Sequence, residues 1–71
     1  MNEEKIKAEI AERLPKIRKE LHYTQVQAAA AADLNKNYYA KVERGYSMPS
    51  VRTVKKIAQA FEVTASDILG F

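Results

Sequence analysis

The 71-residue chain contains no cysteine, no tryptophan and only one histidine, His22. Without cysteine it cannot form disulfide bonds or thiolate zinc sites, and a single imidazole would need an all-carboxylate shell to bind a metal. Glycine is also scarce, with two residues, so the sequence offers no glycine-rich loop to hold a phosphate. These absences predict a protein of a reducing compartment that has no metal site and no bound cofactor.

Long hydrophobic runs are missing too. The longest apolar run, residues 28–32, is all alanine and far shorter than the roughly 20 residues of a membrane span. Glu3 and Glu4 near the amino terminus are unlike the basic first region of a signal peptide. Since there is no linker and no internal repeat, residues 1–71 are expected to form one cytoplasmic domain, too small for a multidomain enzyme.

Positive charge is concentrated in the middle of the chain. The net charge is only +3, and residues 1–33 hold six basic and six acidic side chains. Residues 34–56 hold six basic side chains against the single acidic Glu43, a balance of +5. By charge alone, this segment is either a solvated helical surface or a nucleic-acid footprint.

Apolar residues at spacings of three and four predict an amphipathic first helix. They are Ile6, Ile10, Leu14, Ile17 and Leu21. Pro15 interrupts the pattern, and an interior proline removes a hydrogen bond and crowds the preceding turn. We therefore expect this helix to be kinked or broken there, which makes residues 1–12 either a separate leader ending near Arg13 or an extension of the helix.

Four further helix starts carry residues that cap a helix amino terminus: Thr24 with Gln27, Asn35, Ser50, and Thr64 with Asp67. Gly45 suits the left-handed position that closes the third helix, and Asp33 tolerates the tight turn before it. The sequence thus predicts an all-α domain of five helices, with a helix-turn-helix over about residues 24–44.

Two groups of apolar residues lie in the last third of the chain. The fourth helix has a predicted core face of Val51, Val54, Ile57, Ala58 and Phe61. Three large apolar residues, Ile68, Leu69 and Phe71, crowd the carboxyl terminus. They either close the core or form a dimer patch.

A helical projection separates the third helix into two faces. Tyr39, Val42 and Glu43 share one face, and we interpret Tyr39 as a core aromatic. The opposite face carries Lys36, Asn37, Ala40, Lys41 and Arg44. Such a basic, hydrogen-bonding strip suits a DNA major groove, because Lys and Arg can donate to guanine and Asn can pair with adenine.

Residues around this helix are candidates for contacts with the DNA backbone. Gln25 can donate to a phosphate while Thr24 caps the second helix, which would fix the position of the third helix without sequence recognition. The other backbone candidates are Asn35, Tyr38, Arg44, Tyr46, Ser47 and Arg52. For Tyr38, a place in the core remains the alternative.

Over residues 14–69 the chain resembles the Cro/repressor helix-turn-helix family, also called the XRE family. The matching elements are Arg18, Thr24-Gln25, Ala29, the segment VERG at residues 42–45 with Pro49, and Ile57-Ala58. Together they form a specific motif. The resemblance implies a compact lambda-repressor-like domain that binds operator DNA as a two-fold dimer, with its third helix in the major groove.

The resemblance also implies roles for individual residues. It assigns base contacts to Lys36, Asn37 and Lys41, and it assigns the phosphate contact of the second helix to Gln25. It implies an internal ion pair between Arg18 and Glu43, which removes both from the DNA contacts.

The chain departs from the family pattern at several positions. Asp33 replaces the family's turn glycine, at some conformational cost. Ala28 replaces the usual leucine of the second helix, and Tyr39 replaces an aliphatic residue of the third helix. We expect the small and the large side chain to compensate across one contact. The family habit also favours a dimer patch among Ile68, Leu69 and Phe71, and therefore a homodimer on a palindromic operator.

The leading hypothesis is a sequence-specific transcriptional regulator that binds double-stranded DNA and has no catalytic activity, encoded by a bacterium, an archaeon or a phage. A small stand-alone repressor or a restriction-modification controller fits one domain. The alternatives are the antitoxin of a toxin pair, with residues 1–12 as the toxin-binding surface, and a helical interaction module that never meets DNA. The polar face of the third helix favours DNA, because an interaction module would carry apolar anchors there.

Overall fold

The computed structural model describes residues 2–71, which form five helices. They are α1 (Glu3–Glu20), α2 (Gln25–Ala31), α3 (Lys36–Glu43), α4 (Val51–Phe61) and α5 (Ala65–Leu69). These described residues contain no strand, and the predicted all-α, five-helix class is confirmed. None of the helices in residues 2–71 is long and apolar enough to cross a membrane.

The first helix continues through Pro15 without a break. Residues 3–12 are its first half, so the hypothesis of a separate leader is wrong for them; Met1 lies outside the described residues. Ile10 and Leu14, just before the proline, are fully buried. Burial of two such side chains contributes roughly 3–6 kcal/mol, which offsets the cost of about 3 kcal/mol for an interior proline. Tertiary packing therefore holds both halves in one helix.

The predicted helix caps are all present. The caps Thr24, Asn35, Ser50 and Thr64 accept hydrogen bonds from backbone amides of the first turns of α2, α3, α4 and α5, and the Thr24 and Thr64 capping boxes are complete. Asn2 caps α1 in the same way, with its side-chain oxygen 2.8 Å from the backbone nitrogen of Lys5. This last cap was not predicted, although an Asn followed by two glutamates is a typical helix start.

Left-handed backbone conformations end or join several helices. Asp33, in the turn between α2 and α3, has φ of 56°, as the sequence predicted for this turn, and Gly45 follows α3 with φ of 79°. A Cβ on Gly45 would lie 3.2 Å from the carbonyl oxygen of Lys7. Glycine at this position thus satisfies the backbone conformation and also lets α1 pass close to the end of α3.

The core is formed by side chains from all five helices. Its members are Ile10, Leu14, Ala28, Ala29, Ala32, Tyr39, Val42, Val54, Ile57, Phe61 and Ile68. Ala28 and Tyr39 are both fully buried. The prediction that Val51 belongs to the core face is wrong: Val51, the first residue of α4, is 87% exposed. Because α3 packs against α1 and α2, its remaining face is left to solvent.

Candidate nucleic-acid interface

The two faces of α3 differ sharply in burial. Tyr39, Val42 and Glu43 are buried at 0%, 1% and 3% exposure. The polar strip is turned outward, with Lys36, Asn37, Lys41 and Arg44 exposed and Ala40 half-buried between them. The strip is therefore accessible to a groove, and its back is fixed by the core.

A buried carboxylate lies behind the strip. Glu43 accepts hydrogen bonds at Oε1 from Arg18 Nε at 2.7 Å and from the Tyr39 hydroxyl at 2.9 Å. Its Oε2 accepts from Arg18 Nη2 at 3.3 Å and from Gln25 Nε2 at 2.5 Å. We call Arg18, Gln25, Tyr39 and Glu43 the Glu43 network. The ion pair implied by the family resemblance is thus present, and the network joins α1, α2 and α3.

The electrostatics of the Glu43 network favour its charged form. Burial raises the pKa of the Glu43 carboxyl, but the hydrogen bonds from Arg18, Gln25 and Tyr39 together outweigh burial and hold that pKa below its ordinary value. The hydrogen bond to Glu43 raises the pKa of Arg18. Burial, reinforced by the Glu43 charge, raises the pKa of the Tyr39 phenol. The pair is therefore ionised and Tyr39 neutral at physiological pH.

Two predicted phosphate contacts, Thr24 and Asn35, cap helices in the structure. The Asn35 side-chain oxygen lies 2.9 Å and 3.2 Å from the backbone nitrogens of Asn37 and Tyr38. The Thr24 hydroxyl accepts from the backbone nitrogen of Gln27 at 3.1 Å. Capping uses only an acceptor function in each case, so the Asn35 amide and the Thr24 hydroxyl proton can still donate to a phosphate.

Tyr38 connects α3 to α4. Its hydroxyl lies 3.0 Å from Thr53 Oγ1, and its side chain is half-buried against the core. The core position predicted as the alternative therefore applies in part, and the phosphate contact of Tyr38 stays a prediction. Either hydroxyl of this pair can donate, and a Tyr38 that accepts from Thr53 keeps its own proton for a phosphate.

The loop after α3 carries the next candidates for the DNA backbone. Tyr46 is 71% exposed and Ser47 is half-buried. Their backbone nitrogens donate to the carbonyl oxygen of Lys41 at 2.8 Å and 3.2 Å, which ties the loop to α3. Arg52, in the first turn of α4, is exposed.

Lys56 has a structural role that the sequence did not reveal. Its Nζ donates to the Asp33 carbonyl oxygen at 3.2 Å and lies 3.8 Å from the Asp33 carboxylate. It links α4 to the turn of the helix-turn-helix, across 23 residues of sequence.

The structure offers no site for a metal ion in the part of the chain that it describes. Within residues 2–71, no group of three or more His, Asp and Glu side chains is placed to hold one. Some acidic side chains pair with basic ones, as Glu9 does with Arg13 at 3.0 Å.

An apolar groove of about 550 Å³ lies beside α4 and α5. Its lining includes Ile6, Met48, Val51, Ala58, Leu69 and Phe71, and we call it the α4–α5 groove. Val51 and Phe71 are 87% and 62% exposed, and Leu69 is half-buried. Ile68 is only 1% exposed, so its prediction as a dimer contact is wrong: its side chain closes the core. Leu69 and Phe71 remain on the accessible surface.

Sequence reasoning missed two members of the Glu43 network. Tyr39 and Glu43 are four residues apart on α3, and this spacing could have indicated their contact. No comparable signal connects Gln25 with Glu43, since 18 residues and a turn separate them. Gln25 had been assigned to a phosphate alone.

Comparison with known proteins identifies relatives of the chain. A family model described as helix-turn-helix matches residues 16–68. The chain is 39% identical to the immunity repressor protein of Bacillus phage phi105 over 61 residues, which cover 86% of the chain and 42% of that protein. It is 34% identical to the cryptic phage CTXphi transcriptional repressor RstR of Vibrio cholerae, over 86% of the chain and 54% of the relative. The chain thus spans about half the length of these relatives. On the family match, the chain belongs to the helix-turn-helix family, as the Cro/repressor resemblance predicted.

Proposed function

We propose that this protein is a sequence-specific transcriptional regulator that binds double-stranded DNA and catalyses no reaction. The observation that carries the proposal is the exposed polar strip of α3, formed by Lys36, Asn37, Lys41 and Arg44, on a helix whose other face is buried. A helix of this kind can enter the major groove without disturbing the core. Such a regulator works in the cytoplasm, where bacterial and phage DNA is found.

In this proposal three residues of the strip contact bases. Asn37 pairs with an adenine through its amide, and Lys36 and Lys41 donate to guanine O6 or N7. All three side chains are exposed. Ala40 between them is small enough to allow close approach or to touch a thymine methyl.

Residues around the strip contact phosphates and fix the position of α3. They are Thr24, Gln25, Asn35, Tyr38, Arg44, Tyr46, Ser47 and Arg52. Arg44 and Arg52 add positive charge, and the others add hydrogen-bond donors. Backbone contacts of this sort contribute affinity and register but carry no sequence information.

We further propose a homodimer that binds a palindromic operator through two copies of α3. The α4–α5 groove supports this, because its exposed apolar residues Val51 and Phe71 are available to a second copy. Lys55 of α4 and Glu62, the residue that caps the end of α4, also line the groove. In an antiparallel two-fold pairing of α4 helices, Lys55 of each copy would face Glu62 of the other. A self-complementary surface is what a two-fold dimer requires.

Repression is the direction of regulation that the relatives support. Both relatives are named as repressors of phage origin. A regulator that covers an operator needs no domain beyond the DNA-binding unit and its dimer contact. We therefore favour a repressor over an activator.

Selection from a random DNA pool at several salt concentrations tests the proposal. We expect one enriched palindromic motif and an affinity that falls steeply with salt. Asn37→Ala should relax the preference at one base pair of each half-site, by about 1–3 kcal/mol of discrimination. Gln25→Ala should weaken all sites alike and leave the salt dependence unchanged, because a neutral amide releases no counterion.

Two charge variants complete the test. Arg52→Gln should reduce the slope of log affinity against log salt by about 0.9 per half-site. Lys16→Gln is the matched control, since Lys16 is exposed on the side of α1 that lies beside Val63 and Asp67. The absence of an enriched motif, together with salt-independent binding, would contradict the proposed function.

A further inference from the structure

Gln25 has one hydrogen-bond partner inside the protein, and a phosphate is its proposed partner outside. Its side chain is half-buried at the start of α2, and its Nε2 donates to Glu43 Oε2 at 2.5 Å. A side-chain amide nitrogen carries two hydrogens. One is used on Glu43, which leaves the second for an acceptor on the outside, such as a phosphate oxygen.

The acceptor that holds Gln25 is itself rigid. Each Glu43 oxygen accepts two hydrogen bonds, so the four acceptor sites of the carboxylate are filled. Arg18 approaches from α1. Its position is also fixed by a hydrogen bond that its Nη1 donates to the Tyr23 carbonyl oxygen at 2.7 Å. The Tyr39 hydroxyl approaches from the preceding turn of α3. No buried side-chain polar atom in residues 2–71 lacks a partner, so no unsatisfied buried side-chain donor competes for the carboxylate.

Glu43 also stands on the same helix as the proposed base contacts. Because the Gln25 side chain is hydrogen-bonded to Glu43, its position is tied to α3 as well as to α2. Glutamine is long and flexible, and fixing it before binding lowers the entropic cost of a phosphate contact.

We propose that Glu43 is a positioning residue for DNA binding: it holds the Gln25 amide so that its second N–H meets a backbone phosphate when α3 enters the groove. This inference rests on the proposed function. Tyr39 contributes by fixing Glu43 Oε1, a task that an aliphatic side chain at this position could not perform. The buried ion pair thus acts on DNA through Gln25, without touching the DNA itself.

The test needs a folded protein that lacks the anchor. Removing Glu43 alone would leave Arg18 buried without its partner, whereas replacing the whole polar group by apolar residues of similar size is often neutral or stabilising. The triple variant Arg18→Met/Tyr39→Phe/Glu43→Leu does this and keeps Gln25. Circular dichroism and thermal unfolding establish that it is folded, and Glu43→Gln serves as a second, more conservative variant.

A double-mutant cycle on the selected DNA then measures the coupling. In the wild type, Gln25→Ala should lower affinity about tenfold per half-site, which is the lower end for a hydrogen bond to a charged group. In the triple variant, which should itself bind about tenfold more weakly, the same substitution should change affinity less than about twofold. The cost of Gln25→Ala should also fall in the Glu43→Gln background, because one amide oxygen cannot serve all the donors.

A phosphate scan separates positioning from general loss of structure. Each phosphate of a half-site is replaced in turn by a neutral methylphosphonate. The wild type should lose affinity at the phosphate that faces Gln25, whereas Gln25→Ala and the triple variant should be insensitive there and still respond at the phosphate that faces Arg52. The inference is overturned if the triple variant keeps the Gln25-dependent response. If the wild type selects no DNA at all, it is the proposed function that fails.

Discussion

The Glu43 network and the α4–α5 groove solve different problems with different chemistry. The network joins α1, α2 and α3 through hydrogen bonds of 2.5–3.3 Å around one buried carboxylate. The groove, formed mainly by α4 and α5, has exposed apolar residues such as Val51 and Phe71. One region is complete within a single chain, and the other leaves apolar surface in contact with water.

This difference follows from the different properties of hydrogen bonds and apolar contacts. Hydrogen bonds are directional, so the network fixes the angle at which α3 is held. In the proposed function, that angle decides which bases the side chains of α3 reach. Apolar contacts depend on area rather than direction, and they suit association with a second copy. The network should therefore control the stability and orientation of the DNA-binding unit, and the groove should control assembly.

The largest expected effect comes from breaking the network on one side. Glu43→Ala leaves the Arg18 guanidinium, 12% exposed, without its carboxylate. Loss of one partner of a buried pair costs about 3–5 kcal/mol, a large share of the stability of so small a domain. Urea unfolding followed by circular dichroism measures the change.

The control is the triple variant Arg18→Met/Tyr39→Phe/Glu43→Leu, which removes the charges together. It should be about as stable as the wild type, or more stable. If both variants lose the same stability, packing at these positions matters more than the unpaired charge, and the contrast with the groove weakens.

Acid should reduce the contribution of the Glu43 network to stability over a range of pH, whereas Glu43→Ala removes it at every pH. Because the pKa of Glu43 is lowered in the folded protein, the unfolded chain binds this proton more readily. The contribution of Glu43 is therefore complete above the unfolded pKa of about 4.3 and is lost as the pH falls through the lower, folded pKa.

Urea unfolding between about pH 3 and pH 6 measures this loss. The free energy of unfolding should fall more steeply for the wild type than for the triple variant, which lacks Glu43. Asp67, whose pKa is lowered by the backbone N–H of Thr64, is present in both proteins and cancels in the difference. Parallel pH profiles would contradict a special role for Glu43.

The two regions can also be compared through matched helix caps. Thr24 and Thr64 form capping boxes of the same geometry on α2 and α5. Thr24→Ala and Thr64→Ala should each cost about 1 kcal/mol of stability. Only Thr24→Ala should also weaken DNA binding beyond that loss, because α2 carries Gln25. If the two variants bind DNA equally well, the cap of α2 does not control the position of Gln25, and this prediction is wrong.

These caps also show which parts of the fold a sequence can predict. Each capping box depends on residues three apart, so Thr24 with Gln27 and Thr64 with Asp67 were predictable from local chemistry. The outward strip of α3 was predictable for the same reason, since the helical period alone separates Lys36 and Lys41 from Tyr39.

What the sequence could not predict depends on distant partners. The contact of Gln25 with Glu43 and that of Lys56 with Asp33 each join residues 18 or more apart. Val51 and Ile68 show a second limit: periodicity indicates which residues share a helix face, but not how far the core extends along it. The continuous α1 is a third case, because the penalty of Pro15 is local and its compensation is tertiary.

The smallest effect on stability is expected at the groove, where the largest effect on assembly should appear. Val51→Asp and Phe71→Asp place a charge on exposed positions, and surface substitutions usually change stability by less than about 0.5 kcal/mol. In a dimer the same aspartate would lie in an apolar contact without a partner, so sedimentation velocity should show monomers.

Val26→Asp is the matched control, since Val26 on α2 is 59% exposed and does not line the groove. A wild type that stays monomeric at every concentration, or a Val26→Asp variant that dissociates as Val51→Asp does, would contradict the groove as the dimer contact. Loss of the dimer with an intact fold would establish that orientation and assembly are held by separate parts of the chain.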